Sequence, residues 1–104
     1  MRKIAIIDYG MGNLHSAAKA LEQVGASVTV TRDPEEVRSA DQVVLPGVGA
    51  FGDCMINLRQ RGLEPVVHEV IAAGKPFLGI CVGLQMLFEG SEEDPGVAGL
   101  GVFR

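Results

Sequence analysis

Short apolar segments that alternate with helical patterns are the feature of this sequence that most restricts its fold. Most of these segments are apolar at consecutive positions, so both faces of each strand must be covered. Strands of that kind, separated by helices, are typical of a parallel sheet with a helical layer on each side. The sequence therefore predicts an open α/β fold, with a mostly parallel sheet and helices on both faces. The predicted strands are residues 3–7, 27–31, 42–45 and 77–80.

Spacing and capping residues predict the helices between these strands. The first helix carries apolar residues at helical spacing from Leu14 to Val24, with Asn13 as its N-cap and Gly25 as its stop. A short helix starts at Asp33, where the sequence Asp-Pro-Glu-Glu is typical of a capping box. Three more helices are expected near residues 51–58, 63–73 and 82–88.

Length and charge exclude several classes of protein. A chain of 104 residues suits one domain of modest size, so residues 1–104 are expected to form a single α/β domain. The 9 basic and 13 acidic side chains give a net charge of −4 without a basic patch, which excludes nucleic acid as an expected partner. No apolar run is long enough to span a bilayer, and Asp8 interrupts the first one too early for a signal peptide. Two cysteines without metal-type spacing are typical of reduced thiols, so we expect a cytoplasmic protein with no metal and no cofactor.

Glycine-rich loops follow three of the predicted strands. Because the carboxyl ends of parallel strands meet at one edge of a sheet, where ligands bind in open α/β folds, these loops mark the expected site. They are residues 8–10, 46–49 and 79–81.

The strongest local signal is Gly-Ile-Cys-Val-Gly at residues 79–83, between an apolar strand and an apolar helix. This spacing is that of a nucleophile elbow with Cys81 in place of serine. A helix N-terminus at this point lowers the pKa of a thiol. The alternative is a small buried apolar cysteine at a strand end, and the two flanking glycines favour the nucleophile.

The loop after the third strand contains G-x-G-x-x-G at residues 47–52. That pattern formally matches a dinucleotide fingerprint, but the fingerprint belongs to the first strand–helix turn of its unit. The loop can instead supply backbone N–H groups that stabilise an oxyanion, or it is only a glycine-rich turn. The glycines before Asn13 form a weaker candidate for an anion cradle.

Other polar residues are poorer candidates for chemistry. Cys54 lies in a predicted helix without flanking glycines and is expected to be structural. His15 and His68 also lie in helical stretches and are interpreted as surface or satisfied histidines. A general base for a Cys81 nucleophile is therefore not apparent, although such a nucleophile needs one.

Three motifs together resemble the class I (triad) glutamine amidotransferases. They are D-Y-G-M-G-N at residues 8–13, L-P-G-V-G-A-F-G at 45–52 and G-I-C-V-G-L-Q at 79–85. The elbow is shared across that class, whereas the first two motifs are similar to those of the glutaminase subunits of imidazole glycerol phosphate synthase. The resemblance runs from Met1 to Arg104 and implies a flavodoxin-like, class I amidotransferase-like fold.

The resemblance also implies a role for each matching residue. It implies that Cys81 attacks the side-chain amide of glutamine and forms a glutamyl thioester. The ammonia would pass to a (β/α)₈-barrel cyclase partner that makes imidazole glycerol phosphate and aminoimidazole carboxamide ribotide in histidine biosynthesis. The other implied roles are the oxyanion hole at Gly49 and Val82, substrate binding by Gly47, Gln85 and Glu93, and proximity to the partner and the ammonia route for Gly10, Gly12 and Asn13.

The chain departs from that family in length. Family members are about twice as long, and their catalytic His and Glu lie in the part without a counterpart here. Neither His15 nor His68 occupies the matching position. We therefore interpret the chain as the N-terminal half of such a domain. We expect it to hydrolyse glutamine very poorly by itself and to expose a sheet edge that favours dimerisation or swapping.

Two alternatives to a glutaminase remain open from the sequence. The first is a catalytically silent flavodoxin-like half-domain that acts as a folding or assembly module, which the missing base favours. The second is a nucleotide-binding α/β domain that uses residues 47–52.

Overall fold

Strands and helices alternate along the chain in the expected order. The structure, a computed structural model, describes residues 2–10, 14–88 and 96–102, with the backbone alone at Cys81. The strands are β1 (Lys3–Ile7), β2 (Ser27–Thr31), β3 (Gln42–Gly47) and β4 (Phe77–Cys81). The helices are α1 (Leu14–Gln23), α2 (Pro34–Ser39), α3 (Phe51–Gln60), α4 (Glu64–Ala72) and α5 (Val82–Met86).

The four strands found in the described residues form one parallel sheet in the order β2-β1-β3-β4. In the pairing of β1 with β2, Lys3 lies opposite Ser27, and in the pairing of β1 with β3, Ile4 lies opposite Gln42. β3 pairs with β4 from Val43–Phe77 to Gly47–Cys81. The strand order reverses between β1 and β3, which is the switch point where open α/β sheets bind ligands. The predicted parallel sheet is confirmed.

Helices cover both faces of this sheet, as predicted. Because successive strand side chains point to opposite faces, Val44 faces α1 while Val43 and Leu45 face the other helices. On the first face α1 packs against Ile4, Ile6 and Val44 with the apolar positions Leu14, Ala17, Ala18 and Leu21. The larger core lies on the second face, where α2, α3, α4 and α5 contribute Val37, Met55, Val67 and Met86.

Several predicted element ends were wrong by one or two residues, including the end of α3 at Gln60 and both ends of α4. β3 continues through Pro46 to Gly47 and β4 continues to Cys81, because these residues still pair across the two strands. α5 ends at Met86, not at residue 88, because the chain beyond it pairs with residues 100–102. The predicted N-cap Asn13 lies outside the described residues.

The start of α2 is capped differently from the predicted capping box. The Asp33 carboxylate accepts a hydrogen bond from the Glu35 N–H at 2.9 Å, as an N-cap does. Glu36 does not reach back to Asp33; its carboxylate accepts from the Thr31 hydroxyl at 2.5 Å instead. That hydroxyl in turn accepts from the Asp33 N–H at 3.0 Å, so Thr31 joins the end of β2 to the start of α2.

None of the helices in the described ranges has the length and apolar character needed to cross a membrane.

Candidate functional site

The carboxyl ends of β1, β3 and β4 lie side by side at one edge of the sheet. β3 pairs with both of the other strands, and its last pair with β4 joins Gly47 and Cys81. Asp8, Tyr9 and Gly10 directly follow β1, on the other side of β3. The sheet therefore brings together the three loops that were predicted to meet, at the β1/β3 switch point and beside it.

The turn from β4 to α5 is packed so closely that its glycines have no room for a side chain. A Cβ at Gly83 would lie 1.9 Å from the Leu45 carbonyl oxygen, and a Cβ at Gly79 would lie 2.7 Å from the Leu84 Cα. Cys81 lies between these glycines as the last residue of β4, and α5 begins at the next residue. The strand–turn–helix context predicted for a nucleophile elbow is therefore present.

The end of β3 and the loop that follows it, residues 46–52 and called the β3 loop from here on, pack directly on this turn. A Cβ at Gly47 would lie 2.7 Å from the Gly83 backbone nitrogen and 3.0 Å from the Tyr9 Oη. Val48 is exposed, and Gly49 has a φ of 88°, a left-handed conformation that favours glycine. Gly47 therefore packs between the elbow on one side and Tyr9 on the other.

Tyr9 lies in one of the predicted site loops but has no predicted role, and it contacts two of the site's other segments. Its side chain is fully buried, and its hydroxyl donates a hydrogen bond to the Pro46 carbonyl oxygen. The Oη also lies 3.3 Å from the Met86 Sδ on α5. Burial, together with the neighbouring Cys54 thiol, raises the pKa of the Tyr9 phenol well above its ordinary range, so the hydroxyl stays protonated and remains a donor. The sequence signal was the chain's single tyrosine, placed directly after an apolar strand.

Cys54 lies in the core beneath the same loop. It is a fully buried free cysteine on α3, in agreement with the expectation of a structural residue. Its thiol contacts the Val48 carbonyl oxygen at 3.5 Å, a distance suited to a weak S–H donor. The side chain therefore reaches the loop that precedes its own helix, a contact that spacing alone did not predict.

The loop after β1 is held by the far end of α3. The Arg61 Nε donates to the Tyr9 carbonyl oxygen at 2.9 Å, and the Gly10 N–H donates to the Asp8 carboxylate at 3.1 Å. Gly10 is exposed with a φ of 89°, and a Cβ there would lie 3.0 Å from the Arg61 Nη2. Of the residues predicted near the partner, Gly12 and Asn13 lie outside the described residues.

The two predicted α5 site residues, Val82 and Gln85, lie on the helix that follows the elbow. Val82 is half-buried and packs against the main core, and Gln85 is exposed. Glu93 lies outside the described residues. The chain on either side of that position is tied together, since the N–H groups of Leu100 and Val102 donate to Met86 and Leu87 at 2.8 and 2.7 Å.

An ion pair between α3 and α4 also contacts the segment of residues 96–102. The Arg59 guanidinium makes two hydrogen bonds to the Glu64 carboxylate, at 3.0 and 3.1 Å. Its Nη2 also donates to the Gly99 carbonyl oxygen at 3.2 Å. This hydrogen bonding from Arg59 holds the pKa of the Glu64 carboxyl below its usual range, with a smaller contribution from His68.

Arg59→Gln is expected to lower stability at neutral pH by roughly 1 kcal/mol, and by less in acid. A carboxylate with a depressed pKa in the folded state stabilises the fold above its ordinary range, and this contribution is lost as pH falls through the folded pKa. Urea unfolding of both chains from neutral pH down to acid pH measures the difference, and Glu64→Gln is the matched variant. A difference that stays constant with pH in both variants would contradict the assignment to the ion pair.

The histidines do not form an acid–base partner pair with one another. His15 is exposed on α1 and His68 is exposed on α4, as predicted for surface residues. The His68 Nε2 lies 3.7 Å from the Glu64 carboxylate, which gives it a place in the Arg59 network.

Across residues 2–10, 14–88 and 96–102, no group of three or more His, Cys, Asp and Glu side chains is arranged to hold a metal ion.

Curated relatives share these motifs in sequence. The chain is 62% identical over 99 residues to the imidazole glycerol phosphate synthase subunit HisH of Cyanothece sp., which covers 93% of this chain and 47% of the relative. It is 56% identical over 104 residues to the HisH subunit of Acinetobacter baylyi, covering 100% of this chain and 50% of that relative. The chain therefore spans about half the length of the curated relatives it matches, in their N-terminal portion.

The fold is shared with a solved structure described as a glutamine amidotransferase. The two superpose with a TM-score of 0.76 at 22% identity, over 95% of this chain and 52% of the other. At that identity the likeness establishes the α/β fold alone. The sequence model of the family described as glutamine amidotransferase class-I matches residues 5–96, which include the β3 loop and the elbow. Since this match extends over most of the sequence, the chain belongs to the class-I glutamine amidotransferase family.

Proposed function

We propose that this chain carries the nucleophile half of the glutaminase of imidazole glycerol phosphate synthase. The observation that carries the proposal is the contact between the β3 loop and the elbow. Gly47 pairs with Cys81 in the sheet, and its Cα packs against the Gly83 nitrogen so closely that a Cβ would lie 2.7 Å from it. A loop of backbone amides beside a nucleophile position is the arrangement that acyl transfer requires.

In the proposed reaction the Cys81 thiolate attacks the side-chain amide carbon of glutamine. A C–S bond forms and the carbonyl π electrons move to oxygen, where the N–H groups of Gly49 and Val82 stabilise the negative charge. Collapse of this intermediate breaks the C–N bond, and the nitrogen leaves as ammonia after taking a proton. Water then attacks the glutamyl thioester, releases glutamate and returns the thiol. Gly47, Gln85 and Glu93 are proposed to bind the substrate.

The proton transfers require an acid–base residue in addition to these groups. The family resemblance assigns that role to a His outside the half that this chain matches, and His15 and His68 are both exposed on helices. We therefore propose low glutamine hydrolysis by the 104-residue chain alone. A nucleophile without its base still reacts with an electrophile through its thiolate fraction.

The proposed partner is the (β/α)₈-barrel cyclase that consumes the ammonia. The loop that includes Gly10, Gly12 and Asn13 is proposed to face this partner and the ammonia route. Exposure of Gly10 supports that placement, and the Arg61 contact to the Tyr9 carbonyl fixes the start of the loop. A cytoplasmic location follows from the same proposal.

A second candidate function is a non-catalytic assembly module. It is favoured by the outer side of β4, along which no strand pairs within the described residues. Leu78 on β4 and Leu84 on α5 are also exposed, each at 52%. An unpaired strand edge beside apolar side chains favours pairing with a second copy of the chain.

A diazoketone analogue of glutamine distinguishes the two functions. We expect the analogue to alkylate Cys81 and not Cys54, because Cys54 is fully buried. Peptide mass spectrometry with and without the cyclase locates the adduct. Ser39→Ala, a change of similar size at an exposed serine on α2, is expected to be labelled like the parent chain. Equal labelling of both cysteines, or a defined oligomer without any label, would favour the assembly module.

A further inference from the structure

We propose that Tyr9 and Cys54 are positioning residues that orient the backbone amides of the β3 loop from inside the core. The inference rests on the proposed function, because it concerns the loop assigned to the oxyanion. Neither side chain would touch the substrate. Each one contacts a carbonyl oxygen of the loop, Tyr9 at Pro46 and Cys54 at Val48.

Peptide planarity links each of these carbonyls to the amide on its other side. In a trans peptide unit the C=O and the following N–H lie in one plane and point in opposite directions. The Pro46 carbonyl therefore sets the direction of the Gly47 N–H, and the Val48 carbonyl sets that of the Gly49 N–H. Tyr9 and Cys54 thus control two amides that lie on the opposite side of the loop from themselves.

The direction set by Tyr9 is toward the elbow. The Val43 N–H donates to the Pro76 carbonyl oxygen at 3.0 Å, so Val43 directs its N–H toward the β4 side. Alternation along a strand gives Gly47 the same direction, whereas the Pro46 carbonyl points toward the β1 side, where Tyr9 lies. The pairing of Gly47 with Cys81 directs the Gly47 N–H toward β4, and the Tyr9 hydroxyl holds the Pro46 carbonyl on the other side of the same peptide unit.

Cys54 acts on the peptide unit that carries the proposed oxyanion donor. Gly49 has a φ of 88°, and a glycine can leave that conformation at little cost. Val48 is 55% exposed, so its side chain provides little packing to hold the loop. The thiol at 3.5 Å from the Val48 carbonyl oxygen is therefore a restraint on the orientation of the Gly49 N–H.

Core packing alone does not account for the polar atoms of this pair. A buried hydroxyl without a partner costs free energy, so a purely apolar role would suit phenylalanine at position 9 better than tyrosine. Burial holds the phenol in its protonated donor form. The Oη also sits where a Cβ of Gly47 would be 3.0 Å away, which leaves the loop no space to move toward β1.

The test compares Tyr9→Phe, Cys54→Ala and Cys54→Ser in the full 104-residue chain, with ¹⁵N labelling. We expect Tyr9→Phe to shift the Gly47 amide resonance and Cys54→Ala to shift that of Gly49, each with about tenfold faster hydrogen exchange at that amide. Cys54→Ser retains a donor and is expected to restore the Gly49 amide. Thr31→Val is the matched control, since it removes a buried hydroxyl with two hydrogen bonds at the end of β2.

The second readout is alkylation of Cys81 by the diazoketone analogue in the presence of the cyclase. We expect Cys54→Ala to lower the maximal alkylation rate about tenfold while the half-saturating concentration stays unchanged, since the Gly49 amide acts on the developing oxyanion. We expect Tyr9→Phe to raise the half-saturating concentration instead, since Gly47 is proposed to bind the substrate. Cys54→Ser is expected to react within about twofold of the parent chain. Urea unfolding confirms that each variant is folded under the assay conditions.

The outcomes separate this inference from the proposed function. Folded Tyr9→Phe and Cys54→Ala chains with unchanged Gly47 and Gly49 amides would overturn it, and so would an equal rate loss in Thr31→Val. Amides that move without any change in alkylation rate or half-saturating concentration would also overturn the positioning role. A parent chain that is never alkylated at Cys81 would instead overturn the proposed function, whatever the amides do.

Discussion

Glutamine hydrolysis is expected to fall by about four orders of magnitude when Cys81 is replaced by alanine. The assay uses the complete glutaminase, in which this chain is joined to the C-terminal half of the Acinetobacter baylyi relative and mixed with the cyclase. Without the thiolate no thioester forms, and the oxyanion donors alone retain only a small part of the rate enhancement. Glutamate release at saturating glutamine measures the loss.

Controls decide whether such a loss belongs to the nucleophile. Ser39→Ala removes one polar atom from an exposed position on α2 and is expected to leave the rate within about twofold of the parent. Cys81→Ser preserves the shape of the elbow but is also expected to be severely impaired, since a serine hydroxyl needs stronger activation than a thiol. Hydrolysis by Cys81→Ala at the parent rate would contradict both the elbow and the proposed reaction.

The sheet could be predicted because its strands carry strong and local signals. Lys3–Ile7 and Ser27–Thr31 have the predicted bounds, each set between polar or glycine-containing segments. The ends of β3 and β4 were placed too early because Pro46 is normally a strand breaker and Cys81 was assigned to the turn. Their pairing depends on contacts between distant parts of the chain, which propensity does not contain.

The candidate site was predictable only where its residues have a backbone signature. Gly79 and Gly83 on either side of Cys81, and Gly47 at the end of β3, are required by close approach, and that requirement is visible in the sequence as fixed spacing. The roles of Tyr9 and Cys54 depend on which carbonyl each side chain reaches in three dimensions. The sequence does not distinguish a buried tyrosine or cysteine that restrains a loop from one that only fills the core.

Gly83→Ala is expected to destabilise the chain by about 3 kcal/mol. The added Cβ would lie 1.9 Å from the Leu45 carbonyl oxygen and 2.9 Å from its carbon. These are backbone atoms of a central strand, which cannot rotate away as a flexible side chain would. Relief requires α5 to move off β3, and that movement opens the core around Met86.

The sign of this effect separates close packing from helix propensity. Gly83 lies in α5, where alanine would stabilise an unconstrained helix by about 1 kcal/mol. Gly96→Ala is the matched control because no atom of the described residues lies within 4 Å of the Cβ position there, and we expect a change of less than about 1 kcal/mol. Urea unfolding of both variants measures the two values. A Gly83→Ala chain as stable as Gly96→Ala would mean that α5 does not pack on β3 as described, and the contact that supports the proposed glutaminase would be lost with it.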